Sequence, residues 1–289
     1  MLLKDIIRKG TEAISSLYPE REAREMVLAY LEHRIGTSRH THIIDPSYEV
    51  PESVCEDIFS AYARMASGKP LQYVTGRAYF YGREFHVTPD VLIPRPETEV
   101  LCRAAIEHIA DKGSVIDLCT GSGCIAWTLA LEKPGTEVAA VDISEGALGV
   151  AAGQDFSEEM SRTGASAPRF VQTDVLEEPD TELGMFDVLV SNPPYVMDSE
   201  KVLMRSNVLD HEPHLALFVP DDDPLLFYRA VARWALKLLK PGGYGIVEIN
   251  EALGPETEDV FRSAGFIDVH TIKDLNEKDR FVAFSNVPR

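Results

Sequence analysis

The period of the apolar positions changes twice along the chain, and each change marks a boundary. In the first stretch Leu2, Leu3, Ile6, Ile7, Ile14 and Leu17 recur at helical spacing. The run breaks at Tyr18-Pro19. Pro19 fits the first turn of a second helix, which carries Ala23, Met26, Val27, Tyr30 and Leu31 on one face and stops at Gly36. Thr37 to Ser47 reads as a polar loop. Pro51 then opens a third helix through Val54, Ile58, Tyr62 and Met65, closed by Gly68. Residues 1–69 are therefore expected to form a small helical bundle, with no catalytic constellation in it and docking or capping as its role.

Residues 70–96 lose the helical period. Tyr79, Phe80 and Tyr81 before Gly82, and Phe85-His86-Val87 after it, alternate as a β-hairpin, which predicts a hairpin linker. Pro94 and Pro96 then stiffen a loop. From residue 97 to 289 helical and strand patterns alternate, after a helix through Val100, Leu101, Ala104, Ala105 and Ile109. Short apolar runs predict strands at 115–118, 137–141, 169–172, 188–190, 244–250, 267–272 and 281–284. Asp223-Pro224 is expected to cap a helix running to Leu239. The fold class is α/β, a Rossmann-like open sheet of seven strands behind a helical bundle and a hairpin.

Candidate chemistry clusters where strands are expected to end. Asp117 closes the first strand and runs into Cys119-Thr120-Gly121-Ser122-Gly123, where glycines permit a tight turn and close approach of a ligand. Asp142 closes the second strand, 25 residues after Asp117. A carboxylate at that place can accept both hydroxyls of a ribose lying across the strand ends. Asp174 and Val175 leave the third strand, an acid able to accept from an exocyclic amine beside an apolar cover; a solvent-facing loop acid is the alternative. Asn192-Pro193-Pro194-Tyr195 leaves the fourth. Two prolines stop both strand and helix, leaving a stiff stub with one amide side chain, carbonyls and a flat ring. Such a stub can be a mere turn. It can also hold a planar –NH2 group, with Asn192 Oδ1 and the Pro193 carbonyl accepting its hydrogens and Tyr195 covering its face. His86 and His214 lie nearest these motifs and read as structural.

Composition narrows the field. The chain has 289 residues, 45% of them hydrophobic, and 47 acidic against 28 basic residues, for a net charge of −19. That charge opposes loose binding to nucleic acid, whose affinity comes largely from Lys and Arg on phosphates, and favours a partner with a basic surface. No apolar run has the length of a membrane span, and the amino terminus lacks a signal-peptide pattern. Cys55, Cys102, Cys119 and Cys124 show no metal-ligand spacing and read as reduced thiols. A cytoplasmic monomer without metal, membrane contact or direct nucleic-acid contact is expected.

Asp117 to Gly123 with Asp142 resembles the S-adenosylmethionine site of the seven-stranded class I methyltransferases. Asn192-Pro193-Pro194-Tyr195 is similar to the motif of those that methylate planar nitrogens. With Gln72 to Gly76, Ile93 to Glu99 and Glu212-Pro213, the chain resembles the HemK/PrmC family, which methylates a glutamine of peptide chain release factors. The resemblance implies a release factor as partner, the glutamine of its Gly-Gly-Gln loop as acceptor, and S-adenosylmethionine as donor, leaving S-adenosylhomocysteine. It implies donor contacts at Asp117, Cys119, Thr120, Gly121, Ser122, Gly123, Asp142, Ile143, Asp174, Val175 and Asn192, and catalytic roles for Asn192, Pro193, Pro194 and Tyr195. Three residues depart from the family pattern. Cys119 and Glu277 stand where glycine is usual, and Val175 where an aromatic is frequent. A DNA amino-methyltransferase and a non-catalytic adaptor that binds S-adenosylmethionine are the alternatives.

Overall fold

The structure, a computed structural model, describes residues 1–274 and 277–288. Contacts divide the chain into two compact units. One comprises Met1–Arg77 with Met204–His211, the other Ala78–Leu203 with Glu212–Arg289.

In the first unit, helices α1 (Leu3–Ile14), α2 (Glu20–Ile35) and α3 (Glu52–Ala66) pack their apolar faces together. α1 ends at Ile14, so Leu17, expected on its buried face, is 50% exposed. Pro19 precedes α2 in extended conformation rather than opening its first turn. Gly36 and Gly76 end their helices at φ of 69° and 72°, the left-handed stop that glycine adopts without strain. The polar loop contains a helical turn, Thr41–Ile44, and another, Leu71–Thr75, precedes the hairpin where the sequence suggested linker only. The distant segment 204–211 joins this unit, with Arg205 3.2 Å from Glu22.

The hairpin pairs Arg77–Phe80 with Arg83–His86. Its two turn residues, Tyr81 and Gly82, both have positive φ, 50° and 75°, the geometry that matches the right-handed twist of the flanking strands.

The second unit is built on strands β1 (Ser114–Leu118), β2 (Glu137–Asp142), β3 (Arg169–Gln172), β4 (Phe186–Ser191), β5 (Leu239–Glu248), β6 (Ile267–Lys273) and β7 (Asp279–Ser285). Their order is β6-β7-β5-β4-β1-β2-β3, with β7 antiparallel to both neighbours and the central pairs parallel. Alternate residues supply two separate cores: Val115, Val188 and Val190 face one side, Ile116, Leu118 and Leu189 the other. Helices α4 (Thr98–His108) and α5 (Cys124–Glu132) cover the first face, and α6 (Glu145–Ala152) follows β2. Helices α7 (Leu226–Leu238) and α8 (Gly254–Ser263) cover the second.

β5 starts at Leu239, not Tyr244: Leu239 pairs with Phe186 and Tyr244 with Val188, so the four residues between bulge out of the ladder. Pro241 has no N–H to donate and Gly242 has a φ of 75°, which is why the strand bends there and resumes. Asp223 does not cap α7 through its side chain. Its carboxylate holds the Arg229 guanidinium instead, and the helix starts after Leu225 with no side-chain cap.

Candidate active site

The chain winds outward from β1 to β3, then crosses to β4 and winds the other way. Ligands of such sheets bind at this switch point, outside the carboxyl ends of the strands. A cavity of about 330 Å³ opens there. Cys119, Thr120, Gly121 and Ser122 after β1, Asp142 and Ile143 after β2, Asp174 and Val175 after β3, and Asn192 and Pro194 after β4 all line it. Asp117, Gly123, Pro193 and Tyr195, named with them on sequence grounds, are not in its wall.

The β1 loop is built around two carboxyls. Asp117 is fully buried, and its Oδ2 accepts the Thr120 hydroxyl at 2.6 Å. Its Oδ1 has no partner. Loss of water pushes the Asp117 pKa from 3.8 up to about 7; the Thr120 bond and the Ala126 backbone N–H oppose this and the nearby Asp142 adds to it. Asp142 Oδ2 accepts Gly121 N–H and Oδ1 accepts Ser144 N–H, both at 2.9 Å. Burial raises its pKa while these backbone donors resist. The Ile143 N–H also faces the carboxylate, which keeps part of its roughly four acceptor positions for a ligand.

The loop's backbone is strained on one side and close-packed on the other. Cys119 has a φ of 61°, where a side chain costs about 1–2 kcal/mol relative to glycine. Burial and the Asp142 and Asp117 carboxyls hold its thiol well above the usual range, so it stays neutral. At Gly123, φ 77°, an added Cβ would stand 2.9 Å from that of Ala151. Only glycine fits there. Gln154 ties this loop to the hairpin, donating to Ser122 O at 3.2 Å and exchanging two bonds with the His86 backbone. Glu277, the other departure from a glycine, also has positive φ, 62°, beside Leu275 and Asn276, which lie outside the described residues.

On the β4 side the structure adds residues that the sequence reading missed. Asn192 Nδ2 lies 3.4 Å from Thr98 Oγ1, the Thr98 hydroxyl donates to Glu248 Oε2 at 2.6 Å, and the Tyr195 hydroxyl donates to Glu248 Oε1 at 3.0 Å. Glu248 is 1% exposed. Burial raises its pKa, against the two hydroxyls and the charge of Arg280. Tyr195 is thus held by its hydroxyl, and burial with the neighbouring Glu248 raises its pKa well above the usual phenol range. The signal was present: Glu248 is an acid inside the apolar run Tyr244 to Ile249. Beyond the stub, Asn250 Nδ2 donates to Tyr195 O and Glu200. The two motifs Ile93 to Glu99 and Glu212-Pro213 meet: buried Glu212 accepts Ile93 N–H at 3.1 Å and the Arg95 guanidinium at 2.7 Å. His86 meets Gln154 through its backbone, and the His214 ring packs edge-on against Phe218.

Asp174 Oδ1 accepts Leu176 N–H at 2.8 Å, which closes the turn after β3, and Val175 is 4% exposed in the core beneath the cavity. Among the described residues no group of side chains could hold a metal ion, and no helix is long and apolar enough to cross a membrane.

This strand order, with an antiparallel strand inserted beside β5 and a glycine loop at the switch point, defines a class I methyltransferase. Residues 97–212 match the family described as Methyltransferase small domain, and residues 5–76 match the PrmC N-terminal domain. A release factor glutamine methyltransferase of Bacteroides thetaiotaomicron is 37% identical over 94% of this chain and 95% of its own. One of Flavobacterium psychrophilum is 34% identical over 98% of each chain. A methyltransferase structure from Pyrococcus furiosus shares the fold at a TM-score of 0.51 and 16% identity, covering 79% of this chain and 98% of its own. The chain belongs to the release factor glutamine methyltransferase family.

Asp117 makes stability depend on pH in a stated direction. Its folded pKa is raised, so its contribution is fully present below about pH 4 and is lost as pH rises toward 7. Asp117→Asn, which can still accept from Thr120, is expected to be more stable than the parent by about 2–4 kcal/mol at pH 8 and equal to it at pH 4. Urea unfolding at the two pH values checks this; a difference independent of pH would contradict it.

Proposed function

We propose that the chain transfers a methyl group from S-adenosylmethionine to the side-chain amide nitrogen of the glutamine in a release factor's Gly-Gly-Gln loop. One observation carries the reading: the Asn192-Pro193-Pro194-Tyr195 stub and the 119–122 loop border one cavity. The donor suits the residues present. The cavity has the volume of a small-molecule site. The buried Asp117 carboxyl lies beneath the loop and braces it through Thr120. Asp142 retains acceptor positions for a pair of hydroxyls, and Asp174 with Val175 supplies an acceptor and apolar cover for a base. When bound, S-adenosylmethionine supplies an electrophilic methyl group on a sulfonium.

The chain's own residues then act on the acceptor. An amide nitrogen is a poor nucleophile because its lone pair is delocalised into the carbonyl. Asn192 Oδ1 and the Pro193 carbonyl accept its two N–H hydrogens, orient it toward the donor, and stabilise the positive charge that grows on nitrogen. Alignment alone is worth up to about 7–11 kcal/mol. No strong general base is needed, since the proton can leave after transfer. Tyr195, anchored by Glu248, serves as a fixed wall of the stub. The reading takes the chain as a monomer acting on a protein in the cytoplasm. The helical unit, which carries none of these residues, is assigned the docking of the partner, whose basic surface would suit the net charge of −19.

Labelled S-adenosylmethionine offered with a release factor, its Gln→Ala loop variant and duplex DNA tests the reaction. Label is expected on the unaltered factor alone; label on DNA, or on the Gln→Ala variant, would overturn the acceptor. For docking, a chain beginning at Leu71 is expected to bind S-adenosylhomocysteine normally while its KM for the factor rises at least about tenfold. An unchanged KM would remove the docking role.

A further inference from the structure

We infer that Glu248 is a positioning residue: through the Thr98 hydroxyl it fixes which way round the Asn192 side-chain amide sits. The inference rests on the reading of Asn192 as the group that receives the acceptor amide.

An asparagine amide can present either its oxygen or its nitrogen to the same neighbour, and the surrounding hydrogen bonds decide which. Asn192 has Thr98 Oγ1 at 3.4 Å on one side and the cavity on the other. A hydroxyl has one proton. That of Thr98 is committed to Glu248 Oε2 at 2.6 Å. The committed hydroxyl can offer Asn192 only lone pairs, so Nδ2 must face Thr98. Oδ1 is then left toward the cavity, where it can accept an N–H. The opposite orientation would aim two N–H donors at an incoming –NH2 group, a donor against donors.

Glu248 can act this way because of where it stands. A carboxylate accepts and does not donate, so it cannot return a proton to Thr98 and release the Thr98 proton toward Asn192. Its second oxygen is occupied by the Tyr195 hydroxyl at 3.0 Å, and the side chain is 1% exposed, which keeps water from competing for Thr98. Thr98 itself is 2% exposed at the start of α4, held by the fold rather than by the ligand. The same carboxylate thereby fixes two members of the stub, the amide of Asn192 at one remove and the ring of Tyr195 directly.

Steady-state kinetics with a release factor, together with calorimetric binding of S-adenosylhomocysteine, tests this in the full chain. Glu248→Gln, which can donate to Thr98, and Thr98→Val, which removes the hydroxyl, are each expected to lower kcat about 100-fold. The KM for the factor and the affinity for S-adenosylhomocysteine should stay within about threefold. Thr98→Ser should recover kcat to within about threefold of the parent, and the double variant should be no slower than either single one. Losses that add, or that Thr98→Ser fails to recover, would overturn the positioning role. Neutron diffraction of the unaltered, deuterated protein reads the orientation without any activity. A deuterium on Thr98 Oγ1 directed at Glu248, with the Asn192 deuterons toward Thr98, supports the inference. Asn192 deuterons toward the cavity overturn it. An unaltered enzyme that leaves the factor unlabelled would sink the acceptor reading, while the deuterium positions still decide the orientation.

Discussion

Strands β1 and β4 lie side by side and parallel, with Leu118 opposite Ser191, and the Ser191 hydroxyl donates to the Leu118 carbonyl at 2.8 Å. That pairing governs the site. It delivers the next residue of each strand, Cys119 and Asn192, to one edge of the sheet at the point where the winding reverses. The glycine loop and the Asn-Pro-Pro-Tyr stub are 69 residues apart in sequence, counted from Gly123 to Asn192, yet both border the same cavity. Parallel pairing permits this because each strand needs a long crossover, and the crossovers leave every strand's exit on the same edge.

Around that edge the fold accepts local costs for chemical use. Asp117 is a carboxyl buried away from water, and Cys119 is a side-chain-bearing residue in a glycine conformation. Each works against stability. The compensation is close by: Gln154, Trp127 and Asp142 bind the loop's backbone and its neighbours from three directions. The rim is secured differently, by buried acids that reach across the sequence. Glu212 joins the 93–95 loop to the 212–217 loop, and Glu248 joins α4 to the stub. Both are acceptors with more than one donor, which makes them junctions rather than isolated ion pairs.

Much of this was legible in the chain. The strands at 115–118, 137–142 and 169–172 were marked by apolar, β-branched runs ending at polar residues, and their exits carried the acids and glycines. Positive φ at Cys119 and Glu277 matches the two positions where the sequence departs from an expected glycine. What stayed hidden depends on distant partners. No local pattern says that 204–211 packs with the helical unit, that Val196–Met197 pairs with Phe218–Val219, or that Glu248 receives the hydroxyls of Thr98 and Tyr195. Tyr195 shows the limit most clearly. The motif names its ring, but the bond that holds its hydroxyl comes from an acid 53 residues later. Side-chain direction followed from tertiary bonding, not from the motif.

The central claim is that one cavity holds the methyl donor while Asn192 receives the acceptor amide at its edge. A crystal structure with S-adenosylhomocysteine and a peptide containing Gly-Gly-Gln tests it most directly, through the distance from Asn192 Oδ1 to the glutamine side-chain nitrogen. The account predicts hydrogen-bond contact, about 2.7–3.2 Å, with the nucleoside hydroxyls on Asp142. A glutamine nitrogen bound by other groups and well beyond contact with Asn192, or a nucleoside seated away from Asp142, would contradict it.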